Sequence, residues 1–168
     1  MKQLIRLSVS DFWLVFRDPA LRVFWVLPFA ALFVLIWLLP FAIEHFPLLG
    51  DYSVYVIMAA FTQTSSMFGF IYGMVLIDEK DTGVARVYGV LPVAKEAFVL
   101  GRLCVPFLIA VLFTWLMLLA QPFYALPAAE SLLLSVVVGL MAPVYVLGLS
   151  ILSKNKMMGL TWVKLFNL

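Results

Sequence analysis

The chain has 168 residues, of which 65% are hydrophobic and 12% charged, with a net charge of +2 and a mean hydropathy of +1.13. A soluble domain is about 45–50% apolar and about 25% charged, and one of similar size buries only about 70% of its surface. The apolar excess therefore excludes a soluble enzyme and a disordered chain, and it predicts an integral membrane protein. The single cysteine and single histidine, Cys104 and His45, exclude an intrachain disulfide and a histidine metal site.

Residues 1–22 predict a cytoplasmic amphipathic helix that lies in the membrane interface. Apolar and polar side chains separate onto opposite faces of such a helix: Ile5, Val9, Phe12 and Phe16 against Lys2, Arg6, Ser10 and Arg17. Pro19 is expected to end this helix or to begin the next one, because proline is tolerated at a helix start. The segment is either a plain membrane anchor or a lever that transmits motion from a cytoplasmic partner.

Four stretches without a charged residue follow, each long enough to cross a bilayer, which takes about 20 apolar residues. They predict transmembrane helices at 23–43, 52–77, 103–126 and 131–153. The predicted fold is therefore all-α: one transmembrane domain, 1–168, with an amphipathic N-terminal helix and four spans.

The positions of the basic residues predict the orientation of these spans. Four precede the first span, four lie between the second and third, and three follow the fourth, which accounts for every Lys and Arg. The other side holds only Glu44, His45, Asp51 and Glu130. Basic segments stay in the cytoplasm during insertion. Both termini and the long loop are therefore expected to face the cytoplasm, in a multi-pass protein of the plasma membrane.

The loop 78–102 is the most polar part of the chain. Gly83 is expected to stop the second helix after an acidic turn, and Pro92 interrupts the chain again. Lys95 is expected to open the helix that leads into the third span, and a short helix parallel to the membrane could form over 84–91. The loop is either an ordinary solvated connection or a docking site for another protein.

Polar and small residues lie near the middle of the second span. Among them are Gln63, Ser66, Gly69 and Gly73, and the two glycines form a G-x-x-x-G pair. Small residues at this spacing let helices approach closely, and hydroxyl or amide groups can hydrogen-bond across the contact. The pattern favours helix packing, and the alternative is a substrate path lined by Gln63 and its neighbours.

The four stretches lack the ionisable groups that ion-coupled carriers and pumps use at membrane depth. They also lack the residues of an intramembrane protease, so the chain is not predicted to be an enzyme. No G-x-x-x-x-G-K-[ST] loop is present, so energy for transport would come from another polypeptide that binds ATP. We expect no cofactor, no metal and no nucleic-acid partner.

Several motifs occur in a fixed order relative to the spans. They are Arg17-Asp18-Pro19, Leu76-Ile77-Asp78-Glu79-Lys80-Asp81-x-Gly83, Leu91-Pro92, Lys95, Gly101-Arg102 and Asn155-Lys156-x-x-Gly159-Leu160-x-x-x-Lys164. Together they resemble the permease subunits of type-2 ABC exporters and, within these, are similar to the fluoroquinolone-export permeases.

The resemblance implies a role for each cytoplasmic segment. A coupling loop that docks on a separate ABC-type ATPase subunit would contain Glu79, Gly83, Arg86, Leu91, Pro92 and Lys95. A connecting helix that touches the same ATPase would contain Phe12, Phe16, Arg17, Asp18 and Pro19. The resemblance further implies a second permease copy or a homologous permease, with the first span near their interface, and export of amphipathic drug- or lipid-like molecules.

The chain departs from this family at two points. Val84 follows Gly83 where many relatives have threonine, and the family has six spans where four are predicted here. Residues 154–168 are expected to be the start of an incomplete fifth helix. The alternative prediction is a non-transporting four-helix membrane protein that serves assembly or interaction.

Overall fold

The structure, a computed structural model, describes residues 15–83 and 95–166, with the backbone alone at 20, 95–97, 165 and 166. Its regular elements are helices, and no strand occurs in these two ranges. Four helical segments are long and apolar enough to cross a membrane: Leu21–His45, Ser53–Asp81, Phe98–Ala120 and Ala128–Leu152, called spans 1 to 4. The predicted all-α membrane fold with four spans is confirmed. Of the predicted N-terminal helix 1–22, residues 15–22 are described: residues 15–17 are helical, the chain bends at Asp18, and a new helix begins at Pro19.

Span 1 is a series of short helices. They are α1 (Pro19–Phe24), α2 (Leu27–Phe33) and α3 (Leu39–His45), and a π-helical turn, Val34–Leu38, joins the last two. Each of the three α-helices has a proline in its first two positions. Because proline has no backbone N–H, it interrupts the hydrogen bonds of the preceding turn, which explains why the span is not one regular helix.

Span 2 is one continuous helix, α5 (Ser53–Asp81), and the short helix α4 (Leu48–Asp51) precedes it. The chain leaves α5 through Gly83, whose φ of +74° is a left-handed conformation that glycine adopts without strain. The helix continues past the predicted boundary at residue 77, so its last turn is charged. The side of the membrane at which α5 ends is called the basic side below.

The remaining helices are α6 (Lys95–Ala120), α7 (Ala128–Gly139), α8 (Met141–Leu152) and α9 (Lys156–Phe166). Span 3 lies in α6, which begins at Lys95 and ends at Ala120. Span 4 is divided into α7 and α8 at Leu140. Pro143 explains this division, because it cannot donate the backbone hydrogen bond that a continuous helix would send to Gly139.

Helix α5 lies at the centre of the bundle. It packs most extensively on α8 and then on α6, and all its residues from Thr64 to Val75 except Met67 are buried. Helix α9 also packs on it: a Cβ built on Gly159 would lie 2.9 Å from Cδ1 of Ile77. The N-terminal half of α5, away from the basic side, is more open, and span 1 is largely exposed.

Candidate functional site

A buried ion pair joins the basic-side ends of spans 2 and 3. Nη2 of Arg102 donates a hydrogen bond to Oε1 of Glu79 at 2.5 Å, and Nη1 donates another to Oε2. The side chains of Glu79 and Arg102 are only 8% and 6% exposed. The guanidinium carbon also lies 4.9 Å from the ring centre of Phe98. A two-pronged pair of this kind fixes the orientation of both partners.

Lys156, in the first turn of α9, binds two carboxylates from different parts of the chain. Its Nζ donates hydrogen bonds to Oδ2 of Asp18 at 2.6 Å and to Oδ1 of Asp78 at 3.3 Å. The hydrogen bond to Asp18 is the main cause that raises the pKa of Lys156 above its usual range; desolvation opposes it, and the charge of Asp78 adds to it. One lysine thus joins α9, the end of α5 and the residue that precedes α1.

Two further cations bind backbone carbonyls near the same side. Nζ of Lys80 donates to the oxygen of Ser150 near the end of α8. The guanidinium of Arg22 in α1 donates to the oxygen of Phe16, with its Nη2 at 2.6 Å and its Nε at 3.2 Å. Positive charge is favourable at the carbonyl end of a helix, so these contacts hold helix ends together.

The structure describes part of the predicted coupling loop. Arg86, Leu91 and Pro92 lie outside the described residues, and Lys95 begins α6. Gly83 lies in the turn that ends α5. Glu79 points inward to Arg102 and is not displayed on the surface, so any part it plays in coupling would be indirect.

The predicted connecting-helix residues are described from Phe16 onward, while Phe12 lies outside the described residues. The ring of Phe16 lies 5.5 Å from that of Trp25, between centres, and Arg17 is exposed. Asp18 is bound by Lys156, and Pro19 opens α1. This segment is therefore attached both to span 1 and, through α9, to the end of span 2.

The structure separates the four singled-out residues of span 2 into two groups. Gly69 and Gly73 lie against α8: a Cβ at Gly69 would lie 2.6 Å from the backbone oxygen of Ala142. One turn before Gly69, Oγ of Ser65 donates a hydrogen bond to the backbone oxygen of Val138 in the neighbouring helix α7 at 2.9 Å. The glycine pair is thus a helix contact.

Gln63 and Ser66 lie elsewhere on the helix. Oγ of Ser66 is buried and donates to the backbone oxygen of Gln63 at 2.9 Å, a bond within α5. The Gln63 side chain is exposed beside Thr62, and its amide makes no hydrogen bond to another residue of the described ranges. A polar amide therefore faces outward near the middle of span 2.

Asp78, Arg102 and Lys156 were not among the site residues predicted from the sequence. The charge-free stretches that predicted spans 2 and 3 end at residue 77 and begin at residue 103. The Glu79–Arg102 pair therefore lies outside both predicted spans. The helices extend further, and the pair lies inside their basic-side ends, because mutual neutralisation lets both charges be buried. The available signal was a pair of opposite charges just outside two adjacent apolar stretches.

The fold and the site define a multi-pass helical membrane protein whose spans are joined by ion pairs on one side. Residues 11–168 match the sequence model of a protein family described as fluoroquinolones export permease protein Rv2686c-like. The chain belongs to this family, and the resemblance to fluoroquinolone-export permeases indicated by its motifs is confirmed. No curated protein and no solved structure was found to match it.

Proposed function

We propose that the chain is the membrane-spanning permease subunit of an ATP-driven exporter in the plasma membrane, coupled to a separate ABC-type ATPase subunit through residues 78–96. The family match supports the class of protein. The observation that carries the coupling proposal is the pair of contacts made by Lys156, which bind Asp18 of the connecting segment to Asp78 at the start of the coupling loop. The two segments assigned to the ATPase are thus tied to each other.

The proposed cargo is an amphipathic small molecule of the fluoroquinolone kind, as the family's name suggests. Gln63 is proposed to face the path of this cargo. An amide without a partner costs free energy in hydrocarbon, so an exposed glutamine at this depth is more stable against water, cargo or protein than against lipid. The working unit is proposed to contain a second permease, either another copy or a homologue, facing the exposed side of span 1.

Association with the ATPase is tested by purifying the tagged chain from its native membranes in mild detergent. The wild-type chain is expected to bring down one ABC-type subunit that hydrolyses ATP. Reversing two charges of the loop with Arg86→Glu and Lys95→Glu is expected to remove that subunit. Lys154→Glu is the matched control, since it changes a basic residue beyond α8 and is expected to keep the subunit. Retention of the ATPase by the loop variant would contradict the proposed docking site.

The cargo path is tested by ATP-dependent uptake of a fluorescent fluoroquinolone into inside-out vesicles. Gln63→Leu is expected to reduce uptake about tenfold, because a buried polar contact to the cargo contributes roughly 1–2 kcal/mol. Met58→Leu, on the same helix one and a half turns earlier, is expected to leave uptake unchanged. Full uptake by the Gln63 variant would remove this residue from the path. A normally assembled chain that never transports would favour an assembly subunit.

A further inference from the structure

The Glu79–Arg102 pair lies where the predicted coupling loop leaves span 2 and enters span 3. The two residues are 23 positions apart in the chain, yet each terminal guanidinium nitrogen of Arg102 donates a hydrogen bond to a different carboxylate oxygen of Glu79. The ion pair therefore closes the loop at its base. Whatever conformation the residues between Glu79 and Arg102 adopt, the ion pair holds the two ends of the loop at one distance and one angle.

A gain in folding stability does not explain why two charges are buried here. Removing two charges from water costs about as much as their attraction returns, and apolar side chains of similar volume are often as stable. The surroundings could accommodate such side chains: the cavity of about 230 Å³ that the pair lines is otherwise mostly apolar, with Leu76, Leu103 and Leu147 among its walls beside Lys80 and Ser150. What the ion pair adds is fixed geometry, since the planar guanidinium fork matches a carboxylate in one orientation.

The neighbouring residue extends the connection. Asp78 is the adjacent residue on α5, and through Lys156 it holds α9 and Asp18. One turn of α5 is thus bound to α6, to α9 and to the segment before α1. A displacement of the loop that reached only α5 or only α6 would have to break the two-pronged pair.

We infer that Glu79 and Arg102 are positioning residues that make spans 2 and 3 move as one body when the ATPase acts on the loop. The inference rests on the proposed function. Neither residue touches the ATPase or the cargo in this account; together they determine how much of the loop's displacement reaches the spans. Their loss should uncouple ATP hydrolysis from export without preventing either assembly or hydrolysis.

The experiment compares export per ATP hydrolysed in three variants, using fluoroquinolone uptake into inside-out vesicles and ATP hydrolysis in the same vesicles. Arg102→Lys keeps the charge and loses the fork, and it is expected to lower the export-to-hydrolysis ratio about tenfold, the factor for one charge-assisted hydrogen bond. The apolar pair Glu79→Leu with Arg102→Met is expected to fold and to be uncoupled in the same way. The exchange Glu79→Arg with Arg102→Glu rebuilds the pair and is expected to recover most of the ratio.

The outcomes separate this inference from the proposed function. If the apolar pair exports as much per ATP as the wild type, the positioning role is wrong while the exporter stands. If the apolar pair and Arg102→Lys are both uncoupled, and the charge-exchanged pair recovers coupling, the positioning role is supported. If the wild-type chain neither binds an ATPase nor takes up the drug, the proposed function itself fails, and the positioning role falls with it.

Discussion

At the scale of single residues, Lys156 links three segments through side-chain contacts alone. Its ammonium group is partly exposed and binds Asp18 and Asp78, whereas Lys154, two residues earlier, is exposed and makes no ion pair with the described residues. The two lysines therefore form a natural comparison. Lys156 holds three segments together on the basic side, and Lys154 contributes charge only.

Lys156→Gln is expected to destabilise the purified protein by about 1 kcal/mol, the usual value for a partly exposed ion pair. Lys154→Gln is expected to change stability by less than half of that. The measurement is thermal unfolding in detergent, followed by the fluorescence of the tryptophans. Equal effects of the two substitutions would show that the bridges of Lys156 contribute nothing.

The stabilising contribution of Lys156 is also expected to depend on pH. The folded-state pKa of Lys156 is raised above 10.5, so its stabilising contribution is complete at pH values below 10.5 and is lost as pH rises through the folded pKa. The stability difference between wild type and Lys156→Gln should thus be constant from pH 7 to pH 9 and shrink only in stronger alkali. A difference that disappears below pH 9 would assign the effect to another group.

At the scale of helices, the contact of α5 with α8 depends on two glycines. Gly69→Ala would place a methyl group 2.6 Å from a backbone oxygen of α8, which cannot turn away as a side chain can. We expect the helices to separate slightly and stability to fall by about 1–3 kcal/mol.

Gly148→Ala is the matched control, because a Cβ there would meet nothing within 4 Å. It is expected to be neutral or slightly stabilising, since alanine is the better helix former. Unfolding in mixed micelles measures both variants. A Gly69 variant as stable as the Gly148 variant would show that the close contact is not required.

Helix ends were only partly predictable. The start of α6 at Lys95 and the stop of α5 before Gly83 follow from local signals, because a glycine with positive φ and a proline-delimited loop act within a few residues. The division of span 4 also has a local cause in Pro143. The π-turn of span 1 lies just before Pro40, which cannot donate a backbone hydrogen bond to the oxygen of Ile36. A proline alone does not predict a π-turn, however, because the residues that the structure describes before Pro28 form no π-turn.

At the scale of the whole molecule, the number of spans was predictable and the ion pairs were not. A helix in a membrane satisfies its own backbone groups, so apolar length alone identifies a span. Which charges meet depends on how far each helix extends and how it is rotated. Glu79 and Arg102 pair only because α5 and α6 lie side by side with matching ends, and this requires the three-dimensional structure.

The orientation of the spans in the membrane is also a prediction at the scale of the whole molecule. In a Cys104→Ser background, Asp51→Cys and Glu130→Cys are expected to react with a membrane-impermeant maleimide added to intact cells. Thr82→Cys and Lys154→Cys are expected to react only after the membrane is opened, because basic segments remain in the cytoplasm. The opposite labelling pattern would place both termini outside and would move the coupling loop away from any cytoplasmic ATPase.

The central claim is that the chain exports a drug-like molecule with energy from ATP. The most direct measurement is the accumulation of a fluorescent fluoroquinolone in inside-out vesicles that contain the chain and the ABC-type ATPase subunit proposed for it, with and without ATP. We predict accumulation that requires ATP and both subunits and that falls to background with the loop variant Arg86→Glu, Lys95→Glu. Accumulation that is the same without ATP or without the chain would contradict it.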